Sequence, residues 1–200
     1  MSFGKFIVFE GADDLGKSTQ IKLLQSWLTD ANYKVITTRE PGGTNLGSRI
    51  RSLLLDTKED IPKKAELLLF MADRTIHYEQ KIKPYLEKGY IILCDRFHLS
   101  TLVYQCMLKG NSKYFIDYLH YECIDNIIPD LTFVFHGNRL TQNIKDAYEN
   151  KLGNNTHEIL NNYYIEFANK YVNHILINAN REQGIISNEI VSNIEGLFKK

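Results

Sequence analysis

Gly11-Ala12-Asp13-Asp14-Leu15-Gly16-Lys17-Ser18 carries the spacing G-x-x-x-x-G-K-[ST]. Glycines at those two positions let a backbone fold into a nest whose N–H groups point inward at phosphate oxygens. The Lys17 ammonium can then reach the β- and γ-phosphates, and the Ser18 hydroxyl can bind Mg²⁺. The apolar run Phe6–Phe9 lies before the loop, and Ile21, Leu24 and Leu28 recur at helical spacing after it. That is the strand–loop–helix context the motif requires, and the helix N-terminus adds partial positive charge where phosphates would sit. The ligand expected at Gly11, Ala12, Asp14, Leu15, Gly16, Lys17, Ser18 and Thr19 is therefore a nucleoside triphosphate with Mg²⁺.

Such a loop does not say where a phosphoryl group goes. Arg39-Glu40-Pro41-Gly42-Gly43-Thr44 is a turn-forming cluster after the second strand-like run, and Asp95-Arg96-Phe97 follows the third. Ligands of open α/β sheets gather at the carboxyl ends of the strands, so both segments fall on the loop's edge. The Asp95 carboxylate suits the metal, and the Arg96 guanidinium can fork onto a phosphate. Phe70 and Arg74 are four residues apart, hence on one helical face. An aromatic there can stack on a base while the arginine hydrogen-bonds its edge. Each also has a plain structural reading: Phe70 as core, Arg74 as a surface ion pair, Glu40 as a solvated loop acid.

The elements that must position these residues are legible as alternation. Phe6–Phe9, Tyr33–Thr37, Tyr90–Cys94, Leu131–Phe135 and His174–Ile177 have the length and composition of buried strands, with helix-patterned stretches between them. Ile186, Ile190, Ile194 and Leu197 mark a last helix. The expected fold class is α/β: a P-loop NTPase three-layer fold with a five-stranded parallel central sheet flanked by helices and a short lid. One domain is expected over residues 1–200; the polar, weakly patterned stretch 137–162, where the lid of such a fold would fall, reads as a mobile surface segment or an ordinary solvated helix and loop. Across the 200 residues 24 Lys+Arg balance 24 Asp+Glu, which argues against a broad basic face for nucleic acid or a membrane surface. Cys94, Cys106 and Cys123 lack ligand or pairing spacing and read as reduced, buried thiols. There is no 18-residue apolar span and no secretion signal, so a cytoplasmic protein is expected.

Five ordered motifs resemble those of the thymidylate kinase family. They are Phe9-Glu10-Gly11 to Gly16-Lys17-Ser18-Thr19-Gln20, Thr38 to Thr44, Glu66 to Phe70 with Asp73-Arg74, Asp95-Arg96-Phe97 with Ser100 and Tyr104-Gln105, and Pro129 to Thr132. The resemblance implies transfer of the ATP γ-phosphate to dTMP, giving dTDP, by a cytoplasmic homodimer. It implies that Asp13 meets the sugar 3′-hydroxyl and that Arg39, Arg51 and Arg96 surround the acceptor phosphate, with Glu40 beside them. Phe70 would stack on thymine, Arg74 and Ser100 would reach polar atoms of the base, Tyr104 would close the space at C2′, and Gln105 would lie nearby. Lys17, Asp95, Arg96 and a lid cation, Arg139, would act on the transferring group, with Ser18 and Asp95 on Mg²⁺. Asp14 departs from the glycine or arginine usual at its position, Cys106 from a usual glycine, and the lid is poor in arginine. These departures leave open a nucleotide-binding protein with weak or lost activity; a P-loop kinase for another nucleoside or nucleotide is the third reading.

Overall fold

The computed structural model describes residues 4–138 and 156–198. Within it the apolar runs pair as one parallel sheet: β1 (Lys5–Glu10), β2 (Val35–Arg39), β3 (Ile91–Asp95), β4 (Leu131–His136) and β5 (His174–Asn178), in the order β2-β3-β1-β4-β5. The central strands are apolar at successive positions because both of their faces are covered. Side chains alternate between the faces. Ile7, Phe9 and Leu93 pack with Leu24 and Leu28 of α1 (Lys17–Asp30) and with Ile186, Ile190 and Ile194 of the last helix. Phe6, Val8 and Ile92 turn the other way, onto Ile82, Leu86, Phe97 and Ile124.

The remaining helices fill the two outer layers. They are α2 (Asn45–Asp56), α3 (Lys63–His77), α4 (Lys83–Glu87), α5 (His98–Thr101), α6 (Lys113–Cys123), α7 (Thr156–Ala168) and α8 (Gln183–Phe198). Two π-helical segments, Tyr78–Ile82 and Leu102–Leu108, continue α3 and α5. Thr44 caps α2 by accepting from the Gly47 N–H at 3.0 Å. The expected architecture is the one observed, a five-stranded parallel α/β sheet flanked by helices.

Three local expectations shift. β2 starts at Val35 rather than Tyr33, because pairing with β3 begins at Val35–Ile91 while the Tyr33 ring stacks on Phe198 at 4.7 Å. The stretch 137–162 ends inside α7, whose Thr156 and Leu160 are buried, so its last residues belong to the packed body. Of the cysteines, all free, Cys94 alone is fully buried.

Register is what serves the site. Phe9 and Arg39 both pair with Asp95, and Glu10 pairs with Val134. The Arg96 N–H donates to the Phe9 carbonyl and the Glu40 N–H to the Asp95 carbonyl, both at 2.9 Å. Three strands therefore deliver three functional loops to one edge. At that edge Gly11 has φ +132°, and a Cβ on it would lie 2.5 Å from the Phe135 carbonyl oxygen. Gly11→Ala is expected to lose at least about 1–3 kcal/mol in chemical denaturation and to weaken nucleotide binding. Gly184→Ala, where a Cβ meets nothing within 4 Å, serves as the neutral comparison. Equal stability of the two variants would refute this account of the loop.

Candidate active site

The loop after β1 folds back on itself through unusual backbone geometry. Asp14 and Gly16 take φ of 64° and 80°, the left-handed region, which turns successive N–H groups to one side. Asp tolerates that region better than most residues, so the fourth loop position constrains backbone shape as well as charge. Lys17 is buried, and its Nζ donates to the Ala12 carbonyl at 2.6 Å, which holds the ammonium across the loop. Ser18 and Thr19 are exposed at the first turn of α1.

Asp95 ends β3 beside that loop. Its Oδ1 is buried with no hydrogen-bond partner among the described residues. A buried, unpaired carboxylate oxygen is costly unless a cation takes it. With the Ser18 hydroxyl it gives the hard oxygen ligands that Mg²⁺ prefers, so these residues fit the metal.

Arg96 sits at φ 70°, pinned by its N–H to Phe9. One end of its guanidinium, NH2, bonds the Asp13 carboxylate, and NH1 donates to the Ser100 Oγ at 3.1 Å and the Tyr164 hydroxyl at 2.9 Å. The plane lies 5.4 Å from the Tyr104 ring centre. Below it, Glu10 is fully buried and accepts from the N–H groups of Phe97 (2.8 Å) and Ser100 (3.1 Å) and from the Ser100 hydroxyl. Burial pushes the Glu10 carboxyl up, against the lowering effect of Ser100 and Arg96.

A second buried carboxylate organises the base side. Glu40 accepts from Arg74 Nε at 2.8 Å and faces His77 Nδ1 at 2.9 Å. Burial alone would raise its carboxyl; Arg74 and His77 outweigh that and hold it below the usual range. His77 Nε2 in turn meets the Thr38 hydroxyl at 2.7 Å. Arg74 NH2 donates to the Thr101 hydroxyl at 2.9 Å, and the guanidinium lies 4.9 Å from the Phe97 ring centre. Its third nitrogen, NH1, is buried with no partner among the described residues. Phe70 is half-buried one turn earlier on α3 and lies outside the buried core.

Residues of unrelated sequence position thus converge on one edge: the loop after β1, the Asp95 carboxylate, the oriented Arg96 guanidinium, and Arg74 on a helix that carries Phe70 one turn earlier. A family model described as thymidylate kinase matches residues 9–190. The chain belongs to the thymidylate kinase family. It is 47% identical over 131 residues to a thymidylate kinase of Caldicellulosiruptor saccharolyticus, covering 66% of this chain and 64% of that protein. A thymidylate kinase of Trichodesmium erythraeum is also 47% identical, over 146 residues that cover 65% of each chain. The chain thus spans just under two thirds of the length of these relatives. A thymidylate kinase of Thermosipho melanesiensis aligns more fully, 37% identical over 191 residues, 92% of this chain and 94% of that one. Among solved structures, the thymidylate kinase of Ehrlichia chaffeensis superposes with a TM-score of 0.79 at 29% identity, covering 96% of this chain and 99% of that one.

Against the family expectations, the edge brings together Asp13, Glu40, Asp95, Arg96 and Ser100 through strand register and hydrogen bonds. Arg39 is exposed at the end of β2, and Arg51 donates to the Pro41 carbonyl at 3.1 Å, packed under the turn after β2. Tyr104 and Gln105 are buried in the π-helical segment. Arg139 lies outside the described residues, as does most of the lid stretch. Glu40 is no solvated loop acid, and its pair with Arg74 is a buried one. His77, Thr101 and Tyr164 escaped sequence reasoning, and Glu10 and Asp73 stood in its motifs without a role. His77 follows Arg74 by three residues on the same helix, a spacing that does signal a shared face.

Asp73 holds the turn that carries these groups. Its Oδ1 accepts from the Gly42 N–H at 3.0 Å. Burial first, and the Glu40 charge second, push its carboxyl from 3.8 up to about 6. Its folded value thus lies above its unfolded one, so its stabilising contribution is full below about pH 4 and is lost as pH rises through about 6. Asp73→Asn keeps the acceptor for Gly42 without ionising. Urea denaturation should show the variant gaining on wild type between pH 4 and 7.5, by up to about 3 kcal/mol. A difference that does not change with pH would show that Asp73 does not titrate in this window.

Proposed function

We propose that this protein transfers the γ-phosphoryl group of ATP to dTMP, giving dTDP. The observation that carries the reading is Arg74. Glu40, Thr101 and Phe97 hold its guanidinium in one orientation, and one buried nitrogen is left to donate, on the helical face that Arg74 shares with Phe70. A stack plus directed hydrogen bonds selects one base over others, because a wrong base leaves the buried donor unpaired.

Phosphoryl transfer through a loose transition state asks the protein for positioning and charge neutralisation rather than a strong base. Gly11 to Thr19 hold the donor, with Lys17 on its phosphates. Ser18 and Asp95 would hold Mg²⁺, which when bound would supply positive charge to offset that of the donor phosphates. Arg39, Arg51 and Arg96 receive the acceptor phosphate, and Asp13 meets the sugar 3′-hydroxyl. Tyr104, buried against the Arg96 guanidinium, walls off C2′, with Gln105 next to it. Ser100 serves this reading less through the base than through Arg96 and Glu10, which it already bonds. Arg139 is retained as the lid cation. The reading includes a homodimer, supported by Leu46 and Leu53 of α2 and Leu68 of α3, which are 45%, 50% and 50% exposed. Among the described residues no helix is long and apolar enough to cross a membrane. A cytoplasmic site of action completes the reading, supported by cysteines without pairing spacing.

A coupled ADP-release assay with ATP and each nucleoside monophosphate tests the function. dTMP should be turned over fastest, and Lys17→Ala should abolish turnover while the protein stays folded. Binding of dTMP without turnover would instead establish a binding protein, the reading that Asp14 in the phosphate loop favours. Phe70→Ala should weaken dTMP binding by ~1–3 kcal/mol with little change for ATP. Equal calorimetric losses for both ligands would return Phe70 to the core.

A further inference from the structure

We infer that Tyr164 is a positioning residue for the acceptor phosphate, its phenol orienting the Arg96 guanidinium from a helix 68 residues further along the chain. The inference rests on the dTMP reading above. Tyr164 belongs to α7, is fully buried, and brings its hydroxyl to 2.9 Å from Arg96 NH1 and 2.9 Å from Ser100 Oγ.

The hydrogens can be assigned around this cluster. Arginine only donates, so the Tyr164 oxygen accepts from NH1. The single Ser100 hydroxyl hydrogen goes to Glu10 Oε2, so the contact between the two hydroxyls uses the hydrogen of Tyr164. The chain of hydrogen bonds runs from Arg96 through Tyr164 and Ser100 to the buried Glu10 carboxyl. Asp13 closes the other end of the fork. Arginine otherwise has many rotamers to lose, and three anchors on a planar group remove that freedom before a phosphate arrives.

The Tyr164 ring adds stiffness. It meets the Tyr104 ring edge-on at 6.4 Å, and Tyr104 underlies the same guanidinium. The residue proposed to wall the sugar and the one proposed to take the phosphate are thereby tied to α7 as one packed unit.

Tyr164→Phe keeps the ring and removes only the oxygen. By calorimetry it should weaken dTMP binding about tenfold, the worth of one hydrogen bond to a charged group, and leave thymidine and ATP within about twofold. In an Arg96→Lys background the same change should cost less than about twofold, because Tyr164 acts through Arg96. A general loss of packing would show equally in both backgrounds. Equal losses for thymidine and dTMP, the same loss in both backgrounds, or no loss at all would each overturn the inference. Wild-type protein that binds neither ligand would overturn the dTMP reading, and this inference with it.

Discussion

Two carboxylates buried at the carboxyl edge of the sheet, Glu10 and Glu40, hold the rest of the site in place. A carboxyl group removed from water is tolerated only where hydrogen-bond partners surround it, and leaving one of its atoms unpaired costs about 1–3 kcal/mol or more. Glu10 meets that demand with two backbone N–H groups and a hydroxyl from the Phe97–Ser100 segment, so α5 must start against the end of β1. Glu40 meets it with Arg74 and His77, so α3 must lie against the turn after β2. The loops are fixed because the acids cannot be left alone.

The same demand fixes the two arginines proposed to bind the substrate. Arg74 spends two of its nitrogens on Glu40 and Thr101, which fixes where the third must be. Arg96 is treated in the same way by Asp13, Ser100 and Tyr164. Both guanidiniums also lie over aromatic rings, which shields them from water and adds a cation–π attraction. A rigid donor loses little freedom on binding, so more of each hydrogen bond is available as affinity. Asp73, forced to share its surroundings with Glu40, bears the cost of this crowding.

The family relationship bears on how these parts are read. Residues 9–190 match the family model, and the α/β sheet superposes on a solved thymidylate kinase. Asp14 and Cys106 fall on the loop after β1 and on the π-helical segment Leu102–Leu108. Asp14 occupies a left-handed position, and aspartate is one of the few residues besides glycine that accept that backbone.

By itself the sequence determined what depends on local pattern. The phosphate loop was legible because its glycines, lysine and serine act through backbone geometry within eight residues. The strands were legible because burial on both faces demands continuous apolar runs. Phe70 and Arg74 were legible as a pair because helical period places them on one face. Only the tertiary structure decided which acids are buried and what they hold. Glu40 reads the same in a solvated loop as in a sealed one, and its partners lie 34 and 37 residues away. Tyr164 is an ordinary helical tyrosine until α7 packs and brings its oxygen to Arg96. Pattern records which face of an element is apolar; the partner of a polar group is set by where two distant elements meet.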